Sequence, residues 1–142
     1  MTFKLDKTLE KDSKFITDLE LCQIRLINNS DFPWVILVPR LSNIIEITDL
    51  NDTEYNLLNA ETKLVAQALQ SESAPDKLNI ATLGNVVSQL HIHIIARYKN
   101  DKLFPKPVWG CEFTHYSENA IKEKISGLKN AIGKASSLCV KL

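Results

Sequence analysis

Gln89-Leu90-His91-Ile92-His93-Ile94-Ile95 lies within residues 86–98, a run rich in Val, Leu and Ile with histidines interleaved. Successive side chains of an extended strand alternate between faces, so residues two apart share one. Read as a strand, the segment turns Gln89, His91 and His93 to one side and sends Leu90, Ile92 and Ile94 into a core. Residues 77–83 also read as a strand, and Gly84-Asn85 between the two is a turn signal, which predicts antiparallel neighbours. Upstream, residues 34–38 are nearly unbroken apolar and are flanked by Pro33 and Pro39, which lack a ladder donor and mark strand ends. Residues 15–27 alternate unevenly through Phe15, Leu19, Leu21, Ile24 and Leu26, predicting two short strands that end in the polar turn Asn28-Asn29-Ser30-Asp31.

Between 51 and 71 the period becomes helical, with Tyr55, Leu58, Val65, Ala68 and Leu69 on one face and Asp49 or Asn51 available as N-cap. Ser117 can cap a second helix carrying Ile121, Ile125, Leu128 and Ile132, with Gly133 a candidate stop. A short helical stripe through Leu5 and Leu9 covers one end of the core, and Pro105, Pro107 and Trp109 make residues 103–110 a stiff extended arm. The expected class is α+β, with an antiparallel sheet of about five strands, one long central helix and a C-terminal helix, in a single domain over residues 1–142.

The chain of 142 residues is 44% hydrophobic and 24% charged, an ordinary globular composition. Lys plus Arg equals Asp plus Glu at 17 each, so no basic field draws the protein to nucleic acid or to an anionic membrane. Cys22, Cys111 and Cys139 form no CxxC pair, and free thiols are expected. The first seven residues lack the apolar run of a signal peptide and no stretch reaches membrane-spanning length, so the expected location is cytoplasmic with no membrane partner.

Two imidazoles and an amide on one strand face can orient one another, leaving one ring nitrogen free to attack. The same pair also fits half-buried sheet histidines, or metal binding with His115, Cys111 or Glu112 as further ligands. His115 itself, near a helix start, reads as a solvated side chain.

Residues 89–95 resemble the histidine triad (HIT) motif, His-φ-His-φ-His-φ-φ with φ apolar, with glutamine in place of the first histidine. Gly84-Asn85 resembles the glycine and polar residue ahead of the motif, and residues 34–40 resemble the family's apolar strand ending in proline and a basic residue. Pro105-Lys106-Pro107-Val108-Trp109-Gly110 is similar to a bacterial branch of HIT-like hydrolases. The resemblance implies a HIT-like fold and a homodimer. It also implies a purine nucleotide hydrolase or transferase acting at the α-phosphorus of a dinucleoside polyphosphate, such as diadenosine tetraphosphate, or of a nucleoside phosphoramidate.

In that scheme His91 is the nucleophile and forms a nucleotidyl-histidine, His93 contacts phosphate, and Gln89 offers an amide in place of the missing ring. Gly84, Asn85 and Ser88 bind phosphate, and Asn28 holds the ribose. No metal ligand set or cofactor is required, though Mg²⁺ can ride on a polyphosphate substrate. Trp34 stands where many relatives place a further histidine, so a nucleotide-binding module with little or no turnover is the alternative.

Overall fold

The computed structural model describes residues 2–140, with side chains through 138. Five strands form one antiparallel sheet in the order β1-β2-β3-β5-β4. They are β1 (Ser13–Asp18), β2 (Cys22–Ile27), β3 (Trp34–Pro39), β4 (Lys77–Ala81) and β5 (Ile92–Arg97). Helix α1 (Lys7–Asp12) precedes the sheet, α2 (Asp52–Ser73) joins β3 to β4, and α3 (Glu118–Val140) follows it. The α+β class and the five-stranded antiparallel sheet match the sequence reading.

Every residue of β3 and β5 is buried, because both sheet faces are covered. One face carries Ile24, Leu26, Val35, Leu37, Ile92 and Ile94 and packs against Leu58, Val65 and Leu69 of α2 and Leu128 of α3. The other carries Trp34, Ile36, Val38 and Ile95 and is covered by Leu9 of α1, Val87 and Val108. This second face is roofed mainly by loops, and the site lies there.

Helix α2 begins where Asn51 accepts from Glu54 N at 2.8 Å while the Glu54 carboxylate accepts from Asn51 N at 3.0 Å. This reciprocal box satisfies two orphan N–H groups. On its inner face Glu61 is only 5% exposed, and its carboxylate takes the Leu21 and Cys22 N–H groups, fastening the β1–β2 turn to α2. Burial, and then Glu61, push the Cys22 thiol far up, so Cys22 behaves as a core residue. Cys22 and Cys111 are free thiols; the Cys139 side chain lies outside those described.

The structure corrects several boundaries. The strand expected over 86–98 begins only at Ile92, and the one expected over 77–83 ends at Ala81. Residues 82–91 form a loop where a tight turn at Gly84-Asn85 was expected. Pro39 ends β3 without a donor to extend the ladder. Leu90 N donates instead to Ile44 O at 3.0 Å, outside the sheet. Gly133 does not stop α3, since its φ stays outside the left-handed range and the helix runs on to Val140. Residues 103–110 fold as turns rather than as an extended arm. No helix among the described residues is long and apolar enough to cross a membrane.

Candidate active site

The loop-covered face of the sheet holds a cavity of about 440 Å³. Asn28 from the end of β2, Trp34 of β3, His93 of β5, Gly84, Asn85 and His91 of the loop, and Trp109 and His115 from beyond the sheet all line it.

His91 and His93 lie side by side, their ring centroids 4.7 Å apart. The Nδ1 of His91 is 2.7 Å from the Gln89 carbonyl. A carbonyl only accepts, so Nδ1 carries the proton and Nε2 keeps its lone pair. That Nε2 makes no hydrogen bond to a described residue. Burial lowers the His91 pKa below the ordinary value near 6.5, against partial opposition from the Gln89 carbonyl and the Asp6 charge. The ring is therefore neutral at pH 7, with an unengaged nitrogen beside a cavity. Gly84 permits this placement, because a Cβ there would stand 2.7 Å from Val87 O and 3.3 Å from His91 Cε1.

His93 is bound at both nitrogens. The Trp34 indole N–H, a donor only, gives to Nδ1 at 3.0 Å, so Nε2 carries the proton and gives it to Leu83 O at 2.8 Å. Burial pushes its pKa down to about 4, with the Leu83 carbonyl opposing and His91 adding to the shift. Trp109 meets both Trp34 and His93 edge-on, at 5.7 and 5.4 Å between centroids.

The His93 shift makes a stability prediction whose sign follows from proton binding. Between pH 6.5 and 4 the unfolded chain takes up a proton at this position and the folded chain does not, so stability falls as pH falls through that window. The full loss is about 3 kcal/mol from the separation of the two pKa values. Urea midpoints at pH 7 and pH 4 should show it, and a His93→Asn chain should lose about that much less between the same two pH values. Equal losses in both chains would remove His93 as the cause.

Gln89 does not join the two rings, although strand alternation predicts that it should. Its side-chain amide donates to Lys4 O at 2.9 Å and accepts from Asp6 N at 2.9 Å, tying down the N-terminal segment. Asp6 in turn caps α1 through Thr8 N, and α1 supplies Thr8, Leu9 and Asp12 to the cavity wall. Ser88 lies outside the main cavity, in a small cleft behind His91 with Glu46 and Thr82. Gly84 and Asn85 line both spaces. Among backbone-to-backbone bonds of the described residues, none is donated by residues 84–88.

Asn28 does reach the cavity, in company the sequence reading missed. Its Oδ1 accepts from Tyr116 N at 2.9 Å, which turns its NH₂ to His115 Nδ1 at 3.1 Å. Ser30 N and Oγ hold Thr114 O while Asp31 holds Thr114 N and Lys102, so residues 112–116 are pinned to the turn after β2. His115 is exposed, as expected of a solvated side chain, and it also stands at the rim of the cavity with Phe113 stacked beside it at 5.7 Å. No periodicity links it to His91; the only signal was that histidine occurs three times in this chain. Among the described residues no group of three or more His, Cys, Asp or Glu is placed to hold a metal ion.

The HIT domain model matches residues 8–100, spanning α1, all five strands and the histidine loop. The chain belongs to the HIT family. A histidine triad protein from Sinorhizobium meliloti is 39% identical, with 91% of this chain and 96% of that one covered and a TM-score of 0.89. One from Marinobacter aquaeolei is 34% identical over 95% and 99% of the two chains, with a TM-score of 0.91. More distantly, the diadenosine triphosphate hydrolase of Plasmodium falciparum shares the fold at 17% identity, covering 94% and 85% of the chains with a TM-score of 0.66. No curated protein matches. Within this HIT domain His91 and His93 stand side by side, and Gln89 is engaged with the N-terminal segment.

Proposed function

We propose that this HIT protein is a nucleotide hydrolase or transferase acting at the α-phosphorus of a purine nucleotide, either a dinucleoside polyphosphate such as diadenosine tetraphosphate or a nucleoside phosphoramidate. The observation that carries the reading is His91: its Nδ1–H is held by the Gln89 carbonyl, its ring is neutral, and its Nε2 lone pair is unengaged. Such a nitrogen attacks phosphorus and forms a nucleotidyl-histidine, which water or another acceptor then opens. The N–H groups of residues 84–88, with the Asn85 and Ser88 side chains, bind phosphate oxygens. Asn28 faces the ribose, and Trp109 and Phe113 give aromatic surface to the base. His93 keeps Leu83 and the phosphate loop against β5, and Gln89 holds the N-terminal segment.

No resident cofactor is invoked, and Mg²⁺ enters with a polyphosphate substrate. The bacterial HIT-like hydrolase branch, with glutamine at the first triad position, is the subgroup proposed, and the cytoplasm is its proposed location. The protein acts as a homodimer, with neither nucleic acid nor membrane as partner; Ile80, Leu83 and Val86, at and just beyond the free edge strand β4, are exposed apolar surface consistent with self-association. The commitment of Gln89 and His93 to structural bonds favours one second reading, a nucleotide-binding module with little turnover.

Incubating the protein with diadenosine polyphosphates and adenosine 5′-phosphoramidate in the presence of Mg²⁺, alongside calorimetric titration of AMP, separates the two. AMP release is expected. Binding without release would establish the module, and neither would overturn the nucleotide reading. Light scattering on the same sample should give twice the chain mass, and a monomer would remove the dimer.

A further inference from the structure

We infer that the site is built for phosphoric anhydrides, in nucleoside polyphosphates that bring their own divalent cation, and discriminates against the P–N bond of phosphoramidates. The inference rests on His91 being the nucleophile, and it comes from an inventory of the protons available around the cavity.

His93 has no proton to give. Its Nδ1 is occupied by the Trp34 indole N–H, and its Nε2–H is spent on Leu83 O. Placing a second proton on Nδ1 would set two donors against each other. His115 is engaged at one nitrogen: Tyr116 N–H fixes the Asn28 amide so that its NH₂ gives to His115 Nδ1, while Nε2 of this exposed ring bonds no described residue. Gln89 does not titrate near neutrality, and both ends of its amide are engaged. Among the described residues, the other ionisable groups lining the cavity and the cleft beside His91 are the carboxylates Asp12 and Glu46, while Lys4, Asp6 and Lys7 line a neighbouring pocket with Gln89. Among the described residues no lysine or arginine lines the cavity.

The electron balance of the two reactions then differs. When Nε2 of His91 attacks the α-phosphorus of an anhydride, the N–P bond forms as the P–O bridge breaks. The electron pair leaves on a terminal phosphate oxygen, which is stable as an anion and needs no proton. Water next attacks the nucleotidyl-histidine, the N–P pair returns to Nε2, and the water proton passes to solvent. Cleavage of a P–N bond instead sends the pair to nitrogen, which must be protonated as it departs. General acids contribute about 10²–10⁴-fold to such steps, and His93, the ring beside the nucleophile, is not free to serve as one. With no cationic side chain of the described residues on the cavity wall, charge on the departing polyphosphate is balanced by a divalent cation carried by the substrate.

The test compares kcat/KM of the full chain at pH 7 for diadenosine triphosphate with Mg²⁺ and for adenosine 5′-phosphoramidate. The anhydride is expected to be faster by about 100-fold or more. Trp34→Phe, which frees His93 Nδ1, should narrow that ratio by about tenfold, and chelating Mg²⁺ should slow the anhydride. Comparable rates on both substrates in the wild type, or a ratio unmoved by Trp34→Phe, would overturn the proton inventory while leaving His91 as nucleophile. An anhydride rate indifferent to chelation would remove the cation. No turnover of either substrate would overturn the reading of His91, and this inference with it.

Discussion

His91→Ala should abolish nucleotide turnover, lowering kcat by about 10³-fold or more while the affinity for AMP changes little. The magnitude follows from the kind of group removed: a covalent nucleophile has no substitute in the cavity, since His93 is bound at both nitrogens and His115 is turned to Asn28. The pH dependence gives a second readout. Only the neutral ring attacks, and burial lowers the His91 pKa. The wild-type rate should therefore stay level from pH 8 to below the ordinary histidine midpoint of about 6.5 and fall only at more acid pH. Free imidazole should partly restore His91→Gly, because the ring's place beside Gly84 is then vacant. A folded His91→Ala chain within tenfold of wild type would remove His91 as nucleophile.

The sheet and the long helices were legible because their signals are local. The unbroken apolar run at residues 34–38, the helical stripe from Leu58 to Leu69 and the Asn51 cap need only a few neighbouring residues to interpret. The HIT pattern likewise picked out the two histidines that the fold brings together. The rest of the site depends on partners that no sequence window contains. Gln89 reads as a third member of the histidine face under strand alternation, but alternation holds only within a strand, and β5 begins at Ile92. Its amide meets Lys4 and Asp6 more than 80 positions away.

Trp34 reads as an apolar strand residue and as the loss of a family histidine, yet it fixes the tautomer of His93 from 59 positions upstream. His115 carried no signal because the segment bearing it is placed by the polar turn after β2 rather than by any periodicity of its own. Gln89 and Trp34 thus act as hydrogen-bond anchors, one for the N-terminal segment and one for His93. What remains at the cavity is one imidazole, His91, with an unengaged Nε2 lone pair beside a ring bound at both nitrogens.

Asp101→Ala should destabilise the fold by about 3–5 kcal/mol, the cost of leaving a buried charge without its partner. Arg97 ends β5 with its side chain 1% exposed, and Asp101 is 4% exposed. The guanidinium gives two hydrogen bonds to that carboxylate and a third to Asn79, and lies against the Phe32 and Phe104 rings. Burial alone would raise Asp101, but Arg97 and the N–H groups of Tyr98, Leu103 and Phe104 outweigh it and hold the carboxyl far below the usual range.

Removing the carboxylate therefore orphans one cation and three backbone donors at once, whereas Asn79→Ala removes a single neutral acceptor and should cost about 1 kcal/mol. Urea midpoints of the two variants measure the difference. The effect also reaches the site, because the Asp101 turn launches the segment that sets Trp109 against Trp34 and His93. In a chain still folded at low temperature, loss of Asp101 should redden and broaden tryptophan emission as that contact loosens. An Asp101→Ala midpoint no lower than that of Asn79→Ala would show that the ion pair is not what holds the end of β5.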